Sequence, residues 1–299
     1  MKRILILAII AALLTAPLAA AQTPSEMQVV NCNEWVSLRA EPDSNAQRFA
    51  EVPLGEMVYG FYASNGDFTQ CSYRGSLGYI LNQYLEVVSE GGAVEHDPAA
   101  EPDQRIPMES GCIAIWKGYH DDAEKDLYSE TMYVARLDEN GNEIWSHSSE
   151  SLAAFELSSV DAFVNAPANQ VMVYNDYYGL TALDAETGAE KWTIGCDTVS
   201  LGGDIRYAVA EDGSMYIGGY YGPDPVGISA DGRVLFEASS LHEDPYLGET
   251  DFCWMDRVEV HADELIAHYQ NVEEPPVTVH YDFSGNMLSW EEEPYEMPE

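Results

Sequence analysis

The residues able to do acid–base or metal chemistry are abundant in this sequence, but none of them falls into a catalytic spacing. The chain has 52 acidic residues, seven histidines and five cysteines. It contains no G-x-S-x-G turn, H-E-x-x-H helix, phosphate-binding loop or dinucleotide fingerprint. The histidines are scattered along the chain: His96, His120, His147, His242, His261, His268 and His280. We therefore predict no catalytic residue, no cofactor and a binding protein rather than an enzyme.

Two short segments are the best candidates for holding a proton or a cation. His120-Asp121-Asp122 is the tightest histidine and acid cluster, and a surface turn is its simpler interpretation. The segment 138–143, Asp-Glu-Asn-Gly-Asn-Glu, is rich in oxygen ligands but lacks the spaced bidentate Glu of a calcium loop. Calcium at 138–143 is thus an alternative, and no metal site is predicted.

The beginning of the chain has the pattern of a secretory signal peptide. Lys2 and Arg3 precede an apolar run over 4–14, and Ala19 and Ala21 have the A-x-A spacing of a cleavage site. Residues 1–21 are therefore predicted to be a signal peptide, and the mature protein to be periplasmic or extracellular. The alternative, an uncleaved anchor, is disfavoured because the run is too short to cross about 30 Å of hydrocarbon as a helix.

Charge is distributed very unevenly between the two parts of the chain. Residues 22–88 hold 8 acidic and 3 basic residues, whereas residues 89–299 hold 44 acidic and 8 basic residues. Nucleic acids and anionic membrane surfaces are excluded as partners, because both require a cationic protein surface. A surface adapted to salt, or one that binds cations, is compatible with this charge.

The elements that must position any site are predicted to be short strands. Residues 27–88 alternate apolar segments with turns such as Ser64-Asn65-Gly66-Asp67, which predicts a small barrel. Residues 89–108 are rich in Pro, Gly and acids without apolar periodicity, which predicts a solvated linker between two independently folded units.

The first module resembles the bacterial SH3-like family. Residues 36–42, Val-Ser-Leu-Arg-Ala-Glu-Pro, are similar to its (L/V)-N-(L/V)-R-x-x-P opening, with Ser37 in place of Asn. Pro53-Leu54-Gly55 precedes an apolar strand, and residues 78–85 match G-(Y/W)-(V/I)-x-x-x-Y-L. Phe68 stands where many members carry Trp. The resemblance implies contacts with a cell-wall peptide or an envelope protein.

Within that pattern, two sets of residues have predicted roles. Cys32 and Cys71 fall in an early and a late strand, so we predict a structural disulfide, the alternative being two buried thiols. The fate of Cys112, Cys196 and Cys253 is left open. The candidate peptide groove is lined by aromatics, whose alternative role is to fill the barrel core. These aromatics are Tyr62, Phe68, Tyr73, Tyr79 and Tyr84.

The second module, residues 109–299, contains a repeat of strand, acid, glycine turn and aromatic. Its glycines are spaced by 47, 44 and 53 residues. Each copy is predicted to be a hairpin whose aromatic packs against the next unit, with four strands per unit as in a propeller blade. A β-sandwich is the alternative. The repeat residues are Asp138, Gly141, Trp145; Asp184, Gly188, Trp192; Asp231, Gly232, Phe236; and Asp282, Gly285, Trp290.

These repeats resemble the quinoprotein-type propeller family. Residues 180–192 match its L-x-A-L-D-x-x-T-G-x-x-x-W motif completely. The resemblance implies a β-propeller-like domain of four blades, or of five with one irregular blade, that closes as a small ring or stays open for a partner to complete. The quinone-dependent members need a longer ring with calcium and quinone, whereas other members are cofactor-free envelope scaffolds.

The prediction is therefore an all-β chain: a small SH3-like barrel at 27–88 and a propeller-like domain at 109–299. Its expected function is an exported, non-catalytic scaffold that binds a cell-wall peptide or an envelope protein. The alternatives are a propeller-based hydrolase or quinone-type oxidoreductase, and an acidic cation-binding surface protein.

Overall fold

The computed structural model describes residues 24–292 except 65–66, 75, 90–96, 98–99, 123–126, 154–159, 177, 197, 200, 202–204, 220–223, 239–252 and 272–274. The predicted signal peptide at 1–21 lies outside this part. All described regular structure is β, apart from one 3-10 turn at Asn82–Tyr84. No helix in the described part has the length and hydropathy needed to cross a bilayer. The all-β prediction is confirmed.

The first module is one antiparallel sheet of seven strands. The strands are β1 Ser25–Val29, β2 Trp35–Arg39, β3 Arg48–Pro53, β4 Met57–Ser64, β5 Phe68–Tyr73, β6 Ser76–Leu81 and β7 Leu85–Ser89. Their order in the sheet is β3-β2-β6-β5-β4-β1-β7. Alternation along β2 buries Val36 and Leu38 against Val52 and Ile80, which gives this module a core of its own.

The second module consists of four sheets, each an antiparallel meander of four consecutive strands. Blade 1 contains β8 Gln104–Pro107, β9 Cys112–Asp122, β10 Leu127–Leu137 and β11 Glu143–Ala153; blade 2 contains β12 Val160–Asn165, β13 Gln170–Asn175, β14 Gly179–Asp184 and β15 Glu190–Ile194. Blade 3 contains β16 Arg206–Val209, β17 Met215–Gly218, β18 Val226–Ile228 and β19 Val234–Glu237; blade 4 contains β20 Cys253–Val260, β21 Leu265–Asn271, β22 Val277–Tyr281 and β23 Met287–Glu292.

Buried apolar side chains join successive blades face to face. One cluster links blade 1 to blade 2 through residues such as Val134 and Val171. A second links blade 2 to blade 3, and a third links blade 3 to blade 4. Among the described residues, none of these clusters joins blade 4 to blade 1. Meanders stacked in this way form a β-propeller-like arrangement of four blades.

The repeat motif forms the last hairpin of each blade and makes a recurring contact with the next blade. The Trp145 indole lies where a Cβ on Gly188 would be 2.7 Å from the ring, and Trp192 covers Gly232 in the same way at 2.5 Å. Each indole N–H also donates to a carbonyl of the next turn: Trp145 to Ala185 at 3.1 Å, and Trp192 to Ala230 at 3.0 Å.

The third contact of this kind uses phenylalanine. Phe236 of blade 3 covers Gly285 of blade 4, where a Cβ would lie 2.5 Å from the ring. All three covered glycines have positive φ, between 68° and 82°. Glycine is therefore required here twice: for the left-handed turn and for the close approach of the ring.

Hydrogen bonding shows that two copies of the repeat are aligned differently from the sequence pattern. In blade 3 the residue that opens and holds the turn is Ser229, whose Oγ accepts from Arg233 N at 3.0 Å; Asp231 lies inside the turn. In blade 4, Ser289 pairs with His280, as Trp145 pairs with Arg136 in blade 1. Trp290 is one position later and faces blade 3 beside Val279. A pattern of residue types cannot detect such one-residue and two-residue offsets.

The predicted linker at 89–108 is partly structured. Residues 104–107 form β8, which pairs with β9, and the Trp116 indole donates to Ala100 O at 2.9 Å. The strand was missed because a four-residue segment with one apolar member, Ile106, has no detectable alternation.

The two modules also touch, although they were predicted to be separate units. Phe61 of β4 packs edge-on against Tyr178 of blade 2, with ring centroids 6.2 Å apart. The thiol of Cys196 lies 3.8 Å from the Gln70 amide oxygen. The contact is small, and each module keeps its own core.

The predicted Cys32–Cys71 disulfide is not formed in the structure. Both residues are free thiols that pack in the same core cluster, Cys71 fully buried and Cys32 partly so. Burial raises the pKa of the Cys71 thiol, so it stays protonated and behaves as a small apolar side chain. Cys112 and Cys196 are also free thiols, and the Cys253 side chain lies outside the described residues.

The stacking contact predicts a difference between two equivalent glycines. Gly188→Asn keeps a residue that tolerates positive φ but places a side chain where the Trp145 ring lies, so it should cost roughly 1–3 kcal/mol of unfolding free energy. Gly141→Asn in blade 1 meets no atom within 4 Å and should cost less than about 1 kcal/mol. Urea unfolding of the two variants measures this difference, and equal losses would contradict the proposed role of the contact.

Thiol labelling distinguishes the free cysteines from a bridge. We expect a maleimide to modify Cys32 in the native, unreduced chain and to reach Cys71 only after unfolding, because Cys71 is buried and protonated. Mass spectrometry of labelled peptides gives the result. If both sites stay unmodified in denaturant until a reductant is added, the disulfide is present in the protein.

Candidate binding cleft

A cleft of about 720 Å³ lies in the first module, between the β1–β2 loop, the outer face of β2 and the ends of β5 and β6. It is open to solvent and is lined by both aromatic and polar groups. The lining residues are Asn31, Cys32, Asn33, Glu34, Trp35, Val36, Ser37, Arg39, Ser44, Phe68, Leu81 and Tyr84. Such a mixture suits a ligand that offers both an apolar face and hydrogen-bonding groups.

Trp35 and two arginines dominate the chemistry of the cleft. The Trp35 side chain is 39% exposed, and the Arg48 guanidinium lies 4.8 Å from the centroid of its ring. Arg48 also pairs with Glu51 at 3.0 Å, and Arg39 Nη1 donates to Ala46 O at 2.8 Å. The cation over the indole and the second guanidinium on the wall suit a ligand that carries carboxylate groups.

Hydrogen bonds to backbone carbonyls fix the walls of the cleft. The Asn31 side-chain amide donates to Gln83 O at 3.1 Å, and Val30 N donates to Tyr84 O at 2.8 Å. Leu54 N donates to Glu34 O at 2.8 Å, which joins the same loop to β3. The β1–β2 loop is therefore held on two sides, and a ligand would meet a largely preformed surface.

The five aromatics predicted for the groove have different positions in the structure. Phe68 and Tyr84 line the cleft together. Tyr73 is buried in the core of the module, where its hydroxyl donates to Glu56 Oε2 at 3.3 Å. Tyr79 is half-buried on β6 and is not among the lining residues. The Tyr62 side chain lies outside the described residues.

The most exposed aromatic of the cleft, Trp35, was not among the predicted groove residues. It begins β2, where alternation places Trp35, Ser37 and Arg39 on one face and the buried Val36 and Leu38 on the other. The signal was therefore present in the sequence. It was obscured because the family motif begins at Val36, one residue after the tryptophan.

A second polar cluster lies between blades 1 and 2 of the second module. Lys117 Nζ and Asp161 Oδ1 are 2.9 Å apart, and Glu130 accepts from Val160 N at 3.2 Å. Burial raises the pKa of Glu130, and the neighbouring Lys117 opposes that shift. A carboxylate with a raised pKa near a lysine is the combination that the alternative of a propeller-based enzyme would require. The lysine and aspartate are paired with each other, however, so the cluster has the character of a structural ion pair.

On β11 of blade 1, His147 is buried, and no described residue is its hydrogen-bond partner. Its side chain is 3% exposed, and within the described part of the chain neither ring nitrogen has a partner. Desolvation lowers the pKa of His147 from 6.5 to about 4. The imidazole is therefore neutral at physiological pH and is a buried packing residue rather than a titrating one.

The segment 138–143 uses its oxygens to hold a turn. Asp138 Oδ1 accepts from Asn140 N and Asn142 N, and Oδ2 accepts from the Asn142 amide, each at 2.8 Å. These bonds lower the pKa of Asp138. The described residues contain no group of three or more His, Cys, Asp or Glu side chains placed to hold a metal. The side chains of residues 120–122 lie outside that part.

Comparison with known proteins gives similarity at the level of structure only. No family model and no curated protein sequence matches the chain. Among solved structures, it is similar to BamB from Moraxella catarrhalis, with a TM-score of 0.38, 14% identity, and coverage of 91% of this chain and 79% of that one.

Two further structures are similar to a comparable degree. A protein of unknown function from Bacteroides caccae has a TM-score of 0.34, 10% identity, and coverage of 91% of this chain and 94% of that one. The C-terminal WD40 domain of Sif2 has a TM-score of 0.36, 11% identity, and coverage of 92% of this chain and 65% of that one. At these values the similarities assign no function, which has to be argued from the site itself.

The buried imidazole predicts a pH dependence of stability. Because the pKa of His147 is lower in the folded state, the unfolded chain takes up a proton first as the pH falls below 6.5, and stability is lost until the folded state is protonated near pH 4. The full loss is roughly 3 kcal/mol. His147→Leu should flatten this part of the pH profile in urea unfolding between pH 7 and pH 4. An unchanged slope would contradict the assignment.

Proposed function

We propose that this chain is an exported, non-catalytic binding protein whose first module binds a peptide of the cell envelope in the Trp35 cleft. The second module then serves as a scaffold that presents its blades to a protein partner. The observation that supports this most directly is the partly exposed Trp35 with the Arg48 guanidinium over its ring, in a cleft that Arg39 also lines.

The charge of the chain favours this cleft over other surfaces as the place for an anionic peptide. Residues 22–88 hold only three basic residues, and two of them, Arg39 and Arg48, stand at the cleft. The rest of the protein is strongly acidic and would repel a carboxylate-bearing ligand. An extended peptide with acidic groups and one apolar side chain to stack on Trp35 fits this arrangement.

The composition of the cleft supports binding rather than catalysis. Its lining includes one carboxylate, Glu34, and one thiol, Cys32, but none of the described lining residues is a histidine that could activate the thiol. The SH3-like identity of the module, its export through residues 1–21 and an envelope ligand belong to this proposal. The order of the motifs over 36–85 and the signal-like N-terminus support them.

Removing the indole tests the proposed cleft. We expect Trp35→Ala in the full mature chain to weaken binding of soluble peptidoglycan stem peptides about tenfold or more, because a central exposed aromatic contributes most of the energy of such a site. Isothermal titration calorimetry measures the affinity. Trp35 is already partly exposed, so the variant should fold normally.

Phe49→Ala is the matched control. Phe49 is a 54% exposed aromatic on β3 that does not line the cleft, so its removal should leave the affinity within about twofold. If Trp35→Ala binds as tightly as the wild type, or if the wild type binds neither stem peptides nor intact peptidoglycan, the proposed ligand class is wrong.

A further inference from the structure

Blade 1 carries the same turn as the other blades, but no residue that the structure describes places an aromatic ring on it. The glycines of blades 2, 3 and 4 are covered by Trp145, Trp192 and Phe236 of the preceding blade. Within the described part of the chain, no atom lies within 4 Å of the Cβ position of the equivalent Gly141. We call the surface formed by residues 138–142 the vacant slot.

The vacant slot is preformed rather than collapsed. Asp138 N and O bond to Asn142 O and Gly141 N at 2.9 and 3.0 Å, the pattern that Asp282 repeats in blade 4. Gly141 has a φ of 82°, the same as Gly232 beneath Trp192. By position, Glu139 O corresponds to Ala185 O and Ala230 O, which accept the two indole N–H groups. The slot thus has both the flat glycine surface and the acceptor that bind an indole elsewhere in the chain.

The last blade of the chain is not built to fill this slot in a second copy. The position equivalent to Trp145 and Trp192 is Ser289, which has no ring to insert. The face of blade 4 turned away from blade 3 is polar: Arg257, Glu259 and His268 form ion pairs and hydrogen bonds there. Head-to-tail stacking of this chain on itself would bury those charges, so a second copy is a poor occupant.

Charge at the slot defines the occupant further. Glu139 and Glu143 are exposed beside Gly141, and the chain around them is strongly acidic. A strand with a basic residue next to its tryptophan would therefore meet complementary charge.

We propose that the vacant slot of blade 1 is a docking site for a β-strand of another protein, which inserts a tryptophan over Gly141 and carries a basic residue beside it. The contact extends the interface that the chain already uses three times between its own blades. It is independent of the Trp35 cleft, which lies in the other module.

The test uses the intact mature chain and a peptide copied from its own β15. The probe is capped Ala-Glu-Lys-Trp-Thr-Ile-Gly, residues 189–195, and its affinity is measured by calorimetry at low ionic strength. We expect saturable binding that weakens about tenfold or more when the peptide carries Trp192→Ser, or when the protein carries Gly141→Asn, because each removes the ring contact.

Gly55→Asn is the matched control, because Gly55 also has positive φ, 87°, and open space around it but lies in the first module. It should leave the affinity within about twofold. The proposal is overturned if the intact chain shows no saturable binding, or if Gly141→Asn binds the peptide as the wild type does. A dimer in sedimentation that Gly141→Asn abolishes would also overturn it, since the occupant would then be a second copy.

Discussion

The structure of the second module depends on one contact, an aromatic ring lying flat on a glycine of the next blade. The ring needs a surface without a Cβ, and the turn needs a residue with positive φ, so glycine satisfies both requirements at once. In the two tryptophan contacts, the indole N–H also donates a hydrogen bond to a backbone carbonyl of the next blade. The contact thereby fixes the orientation of each blade relative to the next. The apolar clusters fill the rest of the interface between the two blades.

The contact is directional, because the ring of one blade lies on the glycine of the next blade. Blades 1 and 4 therefore present different outer surfaces. Every blade presents a slot towards its predecessor and, where the aromatic is present, a ring towards its successor. In blade 4 the ring position is held by Ser289, and the face turned away from blade 3 carries ion pairs, which gives it the polar character of capping repeats in other stacked proteins. At the other end the slot remains, and the acidic residues around it set the chemistry of what could occupy it.

The first module combines a core of its own with an open cleft on a small sheet. Its apolar residues are used on one face of β2, which leaves Trp35, Ser37 and Arg39 on the other. Backbone hydrogen bonds from Val30 and Leu54 hold the rim and leave free the side chains of β2 that face the cleft. The residues that line the cleft and those that form the core are thereby separated within a single strand.

The sequence alone determined the all-β class and the repeats of the propeller-like part, and it predicted a division into two modules and an aromatic of one unit that packs on the next. These follow from local rules: alternation of apolar residues, glycine at turns and recurrence at a fixed spacing. It also placed Phe68 and Tyr84 in a groove, which the structure brings together at the cleft. The prediction missed strand β8, because a four-residue segment with one apolar residue shows no alternation of apolar and polar residues.

Only the tertiary structure decided the rest, because each remaining point depends on which residues face each other across sheets. Hydrogen-bond register assigned the turn of blade 3 to Ser229 and the ring position of blade 4 to Ser289, where residue types alone favoured Asp231 and Trp290. Burial divided the candidate groove residues between core and cleft, and left Cys32 and Cys71 as thiols. That none of the described residues covers Gly141 with a ring is likewise a property of neighbours in space, which the order of residues along the chain does not record.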